Sequence, residues 1–242
     1  MTKNSSHTPL PRLILSGLAL SIIAIVTAVV SVVGYRLDWW RHLEAFSIFE
    51  WATYAAIISL TLAAYGLFKT RPQGLLLGIT GIIVSLPVIT ATLLFEYSAK
   101  AYPPINDITT DTQDPPSFWD VPNPIDYPGQ AVAELQQVAY PDLSPLQLSI
   151  SPEQAFEQAL TVVTNKGWEV IATDPDEGRI EAVDPSLLFG FKDEVVIRIT
   201  SSDDGAIIDI RSRSRIGRID RGANAKRIRS YLKDLKKRAG TL

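Results

Sequence analysis

The chain has 242 residues, no cysteine, two histidines (His7 and His42) and a formal charge of −3. No disulfide, thiolate metal site or cysteine nucleophile can be built, and imidazole acid–base chemistry is excluded from the second half. The near-neutral total conceals an acidic middle and a basic end. Residues 101–165 hold nine acids and no Lys or Arg, whereas twelve of the 23 basic residues lie from Arg211 onward beside two acids, Asp220 and Asp234.

Three apolar runs come first, at 13–34, 46–68 and 74–95; the second carries one early acid, Glu50. A helix crossing the ~30 Å hydrocarbon layer needs about 20 apolar residues, so residues 1–100 are predicted to form three transmembrane helices. The first run is longer than the ~7–15 residues of a signal-peptide core, and no small-x-small cleavage pattern follows it. Trp39, Trp40 and Trp51, with Arg36, Arg41 and Lys69, fit the membrane interface, where amphipathic rings and snorkelling cations anchor spans. Lys3, Arg12, Lys69 and Arg71 outweigh Arg36, Arg41 and Lys100, and a stretch without basic residues follows Lys100. This bias predicts a multi-pass protein of a bacterial inner (plasma) membrane, with a cytoplasmic N-terminus and a periplasmic or extracellular C-terminal domain. Glu50 is read as a headgroup-level residue rather than a proton relay, Gly74-x-x-x-Gly78 as composition rather than a packing motif, and Pro87 as a kink. The spans carry no histidine pair for haem and no row of charges, so a transporter, channel or electron carrier built from them alone is not expected.

Residues 101–130 are rich in Pro and Asp, with prolines at 103, 104, 115, 116, 122, 124 and 128. Proline removes donors and restricts the preceding residue, which predicts an extended segment. Ile105, Ile108, Phe118, Trp119, Val121, Ile125 and Tyr127 are too apolar for a free linker, so the segment is expected to pack along the following domain.

Residues 131–242 are predicted to be an α+β domain. A helix is signalled over Ser151–Lys166: Ser151 caps it, Pro152 suits its first position and Gln154 completes a capping box. Four strands follow near 168–173, 179–184, 194–201 and 206–214, with turns at 174–178 and 202–205. Both turns resemble fragments of calcium loops but lack the ligand count, so no metal site is assigned. A last helix runs from about Asp220, read as its cap, to Ala239, its apolar residues stepping by three and four. Helix, four strands and helix imply an antiparallel four-stranded sheet with two helices packed on one face.

Strand alternation sharpens the basic end. In 206–214, Ala206, Ile208, Ile210, Ser212 and Ser214 share one face, and Ile207, Asp209, Arg211, Arg213 and Arg215 the other. The complementary charge predicts that Asp107, Asp111 and Asp114 dock beside Arg211, Arg213 and Arg215. Two rivals stand beside this reading: the arginine row binds an external anion such as a lipid phosphate or sugar acid, or it is a solvated strand with ordinary cross-strand ion pairs.

At this point the chain resembles the bacterial domain-of-unknown-function 1499 family. The resemblance is carried by Pro103-Pro-Ile-Asn-Asp-Ile-Thr-Thr-Asp111, Pro115-Pro-Ser-Phe118, Ala139-Tyr-Pro-Asp-Leu-Ser-Pro145, Gly167-Trp168, Phe191-Lys-Asp-Glu-Val195 and Arg211-Ser-Arg-Ser-Arg-Ile-Gly217 through Asp220, Gly222, Asn224 and Arg227. It covers most of 103–239. The family pattern implies histidine where this chain has Asn106, so an acid–base role there would be lost. It implies domain limits and an envelope location, and no activity.

The candidate ligand or internal ion-pair residues are therefore Asp107, Thr110, Asp111, Arg211, Arg213, Arg215, Asp220, Asn224 and Arg227. Without a P-loop, a G-x-S-x-G elbow or a metal-ligand cluster, no cofactor is expected, and Thr110, Ser212 and Ser214 have no base nearby in sequence. The reading is a non-catalytic binding or scaffold module near the membrane surface, meeting a partner protein or anionic headgroups; nucleic acid would not be met outside the membrane. The alternative is an envelope hydrolase or transferase using Asp107 and Asp111, with arginines as anion clamps.

Overall fold

The computed structural model describes residues 12–70 and 74–240. Lys3, His7 and Arg71 lie outside the described residues. The chain divides into two compact units, Met1–Tyr97 and Ser98–Leu242.

The first unit is built on α1 (Arg12–Arg36), α2 (His42–Thr70) and α3 (Leu75–Ala101). Each is long and apolar enough to cross a membrane. The buried positions of α1 are Ile14, Gly17, Ser21, Ala24, Ala28, Ser31 and Gly34, a nearly all-small stripe stepping by threes and fours. Lipid tails are as apolar as leucine, so helices in a bilayer associate by close backbone approach and polar bonds rather than by hydrophobic exclusion. A Cβ on Gly17 would stand 3.0 Å from the Ala63 nitrogen. Around it the Ser59 hydroxyl donates to the Gly17 carbonyl at 2.6 Å, and Ser85 Oγ lies 3.1 Å from Ser59 Oγ. Farther along, Thr53 and Thr92 join α2 to α3 at 2.7 Å. Ile22, Ile23, Val26, Ile83, Leu93 and Leu94 remain exposed, as lipid-facing residues would be. Gly74 is a turn residue with φ 81°, but Gly78 is buried and packs on Leu67, so only half of the Gly74-x-x-x-Gly78 pair was mere composition. Glu50 is exposed and accepts the Tyr54 hydroxyl at 2.5 Å.

The second unit is an α+β domain on an antiparallel sheet. Its elements after α3 are β1 (Asp107–Thr109), α4 (Gln130–Ala139), β2 (Leu146–Leu148), α5 (Pro152–Asn165), β3 (Glu169–Asp174), β4 (Arg179–Pro185), β5 (Lys192–Ser202), β6 (Gly205–Ser214) and α6 (Ala223–Arg238). The sheet has six strands, not four. Its order is β1-β6-β5-β4-β3, and β2 also pairs with β6. β1 faces Arg211–Arg213 and β2 faces Ala206–Ile208, so two three-residue strands share one edge of β6. They occupy backbone groups that would otherwise invite another chain. α4 is a further element beyond the two expected helices. Its Gln136 is 2% exposed and bonds both the N–H and the C=O of Thr109, at 3.0 and 2.7 Å, as a neighbouring strand would.

The α5–α6 face of the sheet is the main core. Ala155, Ala159, Val163, Ile228 and Leu235 from the helices meet Ile180, Val195, Ile197, Ile208 and Ile210. Ser151 Oγ caps α5 through the Gln154 N–H at 3.3 Å. α6 begins three residues after the expected Asp220, because Arg221 and Gly222 take positive φ of 55° and 77°. Asp220 still serves this terminus, its carboxylate accepting the N–H groups of Gly222 and Asn224 at 2.9 and 2.8 Å.

Candidate functional site

Opposite the helices, the segment after β1 crosses the charged side of the sheet as an arm. Arg211 is 1% exposed and Asp107 3%. The guanidinium grips the carboxylate in bidentate fashion at 2.9 and 2.8 Å. It also donates to the Pro116 and Ile125 carbonyls, each at 3.0 Å, while Phe118 and Tyr127 lie over it at 4.9 and 5.5 Å. Planar, delocalised and weakly hydrated, a guanidinium suits such a sandwich. Burial pushes the Asp107 carboxyl above its usual range against the opposing pull of Arg211, and pushes the Tyr127 phenol up to about 12.

The other arginines find different acids from those expected. Arg213 and Arg215 converge on Glu194, which is fully buried: Arg213 bonds it through Nε at 2.9 Å and through Nη2, and Arg215 at 3.0 and 2.8 Å. Asp111 and Asp114 lie instead with Arg198, at 3.4 and 2.7 Å, and Arg198 also reaches Asp209 at 3.1 Å. Register explains the change. Glu194 faces Arg213, and Arg198 faces Asp209, directly across β5 and β6, so in-sheet partners claim these charges first. Thr110 is buried; its hydroxyl donates to Asp209 at 3.0 Å and accepts the Ile210 N–H at 3.0 Å. Burial raises the Asp209 carboxyl as well.

Glu181 shares this outer face by strand alternation but is not among the nine candidates. Fully buried, its carboxylate accepts three consecutive backbone N–H groups, from Trp119, Asp120 and Val121, at 2.7, 2.9 and 3.0 Å, plus Arg179 at 2.7 Å. It pins the arm where the Glu194 cluster leaves off. Its place between Arg179 and Val183 on the outer face was the available signal.

Asp220, Asn224 and Arg227 lie on the helix side and do not join Asp107 and Arg211. Arg227 bonds Asp184 and Asp193, both at 2.7 Å, together with Ser212 and Asn224. Asn224, fully buried, donates to the Asn106 carbonyl at 2.9 Å. Asn106, where the resemblance implied histidine, donates to the carbonyls of Ser214 and Gly217 at 3.3 and 2.6 Å. Burial raises the carboxyls of Asp193 and Asp220. The nine candidates therefore fall into two groups on opposite faces of the sheet.

A cleft of about 470 Å³ opens beside the arm, lined among others by Asp114, Trp119, Glu177, Arg179 and Arg198. Its two guanidinium groups are already held by acids, Arg179 by Asp120 and Glu181 and Arg198 by Asp114, Asp111 and Asp209. Acids outnumber bases around it, which opposes an anion. Among the described residues, no group of three His, Asp or Glu is arranged to hold a metal ion.

The fold and these networks define a class: an α+β domain whose antiparallel sheet is clasped by its own acidic arm, carried behind three helices apolar enough to span a membrane. Residues 107–235 match the family described as "Protein of unknown function (DUF1499)", and the chain belongs to that family. Among solved structures, the crystal structure of protein MLL2253 from Mesorhizobium loti is similar at 15% identity over 39% of this chain and 94% of that one, with a TM-score of 0.29. No curated protein matches.

Proposed function

We propose that the α+β unit is a non-catalytic binding or scaffold module held at the outer surface of a bacterial plasma membrane, where it meets a partner protein or anionic headgroups. One observation carries the reading. Asp107 and Arg211, the acid and clamp that a hydrolase or transferase would offer a substrate, are 3% and 1% exposed and bonded to each other. Catalytic carboxylates must reach a reacting atom, and anion clamps must have donors to give. Arg213, Arg215 and Arg198 are likewise engaged by the chain's own acids. The external placement is supported by the excess of basic residues in the N-terminal flank and second loop and by the basic-free stretch after Lys100.

The cysteine-free chain makes the placement testable. In Lys233→Cys, a membrane-impermeant maleimide added to intact spheroplasts is expected to label the single thiol. Labelling only after lysis overturns the external placement. Hydrolysis of activated phosphate or acyl esters that disappears in Asp111→Asn overturns the non-catalytic part.

A further inference from the structure

β4 and β5 are joined by Ser186-Leu187-Leu188-Phe189-Gly190-Phe191. Leu187 is 95% exposed and Leu188 52%, yet the tip is well built. The Ser186 N–H donates to the Phe191 carbonyl at 2.8 Å, the Gly190 N–H to the Ser186 carbonyl at 2.9 Å, and the Phe191 N–H to the Ser186 hydroxyl at 2.9 Å. Beneath the leucines, Phe189 and Phe191 stack with centroids 5.2 Å apart and planes at 7°. Two leucines are thus displayed on a braced loop.

Three further observations say what would receive them. The exposed charges at this end of the sheet include Lys192, Arg215 and Arg218, with the Arg215 N–H bonded to the Lys192 carbonyl at 3.3 Å. Most nearby acids are engaged: Asp193 and the partly exposed Asp184 hold Arg227, Glu194 holds Arg213 and Arg215, and Asp220 holds two backbone amides, while Glu169, opposite Val183, is exposed. The chain also enters the sheet here, because the Ser214 N–H donates to the Asn106 carbonyl at 2.9 Å. Asn106 follows the last residue of α3 by five positions, a reach of at most roughly 18 Å. A two-residue apolar tip is far below the ~1,000 Å² that a stable protein interface buries. It matches an amphipathic wedge that sinks about 5–10 Å into the headgroup–acyl boundary while cations meet anionic lipid.

We propose that the β4–β5 tip is a membrane-contact loop, in which Leu187 and Leu188 enter an anionic bilayer interface and Lys192 and Arg218 face its headgroups. This deepens the membrane-surface reading and rests on it.

The test uses full-length single-cysteine variants Leu187→Cys, Asp204→Cys and Lys233→Cys, labelled with nitrobenzoxadiazole in phosphatidylcholine–phosphatidylglycerol vesicles. Asp204 sits in the turn at the opposite end of β5, and Lys233 on the exposed side of α6. The label at 187 is expected to shift to the blue and to be quenched by nitroxide-bearing lipid, and the label at 204 to do neither. Adding Leu188→Asp to Leu187→Cys is expected to reduce the inserted fraction relative to the detached one by at least about tenfold, the scale of one leucine's transfer from water. Equal quenching at 187 and 204, or none at 187, overturns the loop's role. Quenching at 233 but not at 187 overturns it while leaving the membrane-surface reading in place.

Discussion

On the α5–α6 side of the sheet, Val195, Ile197, Ile208 and Ile210 are covered by helix hydrocarbon. On the other side, Glu181, Glu194, Asp209 and Arg211 are covered by β1 and the proline-rich arm that follows it, which supply Asp107, Asp111 and Asp114. Both surfaces are covered over their central residues, but by opposite means. Apolar burial is non-directional and tolerates exchange of similar volumes. Burying charge is worth little or nothing net, yet removing one partner strands the other. The helix face therefore supplies stability, and the arm face fixes where one particular segment must lie.

Breaking the charged side should have the largest effect. In Arg211→Met the Asp107 carboxylate stays buried without its clamp, at an expected cost of about 3–5 kcal/mol. Chymotrypsin, which can cut after Phe118 and Trp119, should then cleave the arm faster than in wild type. The double variant Asp107→Leu/Arg211→Met should recover most of the loss in a urea titration, since a well-packed apolar pair often equals a buried ion pair. If the double variant is as unstable as the single one, the stranded-charge account fails. On the helix face, Ile208→Ala should cost about 2–5 kcal/mol by leaving a cavity. Trp168, stacked on Tyr231 at 5.6 Å, is the fluorescence reporter there. The arm should stay protease-resistant in conditions where Ile208→Ala remains folded; early arm cleavage would mean the two faces are not independent.

Glu181→Gln sharpens the contrast further. One oxygen acceptor and the negative charge are lost from a carboxylate serving Arg179 and three backbone amides, so about 1–3 kcal/mol should go. Chymotryptic cleavage after Trp119, whose N–H loses its charged acceptor, should rise. The smallest effect belongs to the surface pair Asp142–Arg229, bonded at 2.6 Å with both partners largely exposed. The Arg229 hydrogen bond holds the Asp142 carboxyl below its usual range. A depressed folded value means that the pair's contribution is present above the unfolded pKa and is lost as pH falls through the folded one. Screening keeps it under about 1 kcal/mol. Urea midpoints of wild type and Asp142→Asn should differ slightly at neutral pH and converge in strong acid.

Much of this architecture is legible before any coordinate. Long uncharged runs announce α1 to α3, the Ser151–Gln154 cap announces α5, and alternation in 206–214 separates the serines from the arginines. β1 and β2 are not legible, because three residues carry no period of their own; only the open edge of β6 makes strands of them. α4 hides between Pro128 and Pro141, and its Gln136 earns burial solely by imitating a strand beside Thr109. The right charges were found on the arm, but their partners depended on the β5–β6 register, which gave Arg213 to Glu194 and Arg198 to Asp209. Glu181 carries least warning, since its partners are backbone amides 60 to 62 residues upstream and leave no mark of residue type.

Asn106 has a mechanical consequence. A tension applied at the last turn of α3 travels through four residues and arrives at Asn106, whose carbonyl accepts from Ser214 and Asn224 and whose side chain grips Ser214 and Gly217. Immediately behind it stands the Asp107–Arg211 fork. The tether thus ends where hydrogen bonds and core hydrocarbon take the load together, because Ile105, one residue nearer α3, lies in the core between the sheet and its helices and accepts the Asp220 N–H at 3.1 Å.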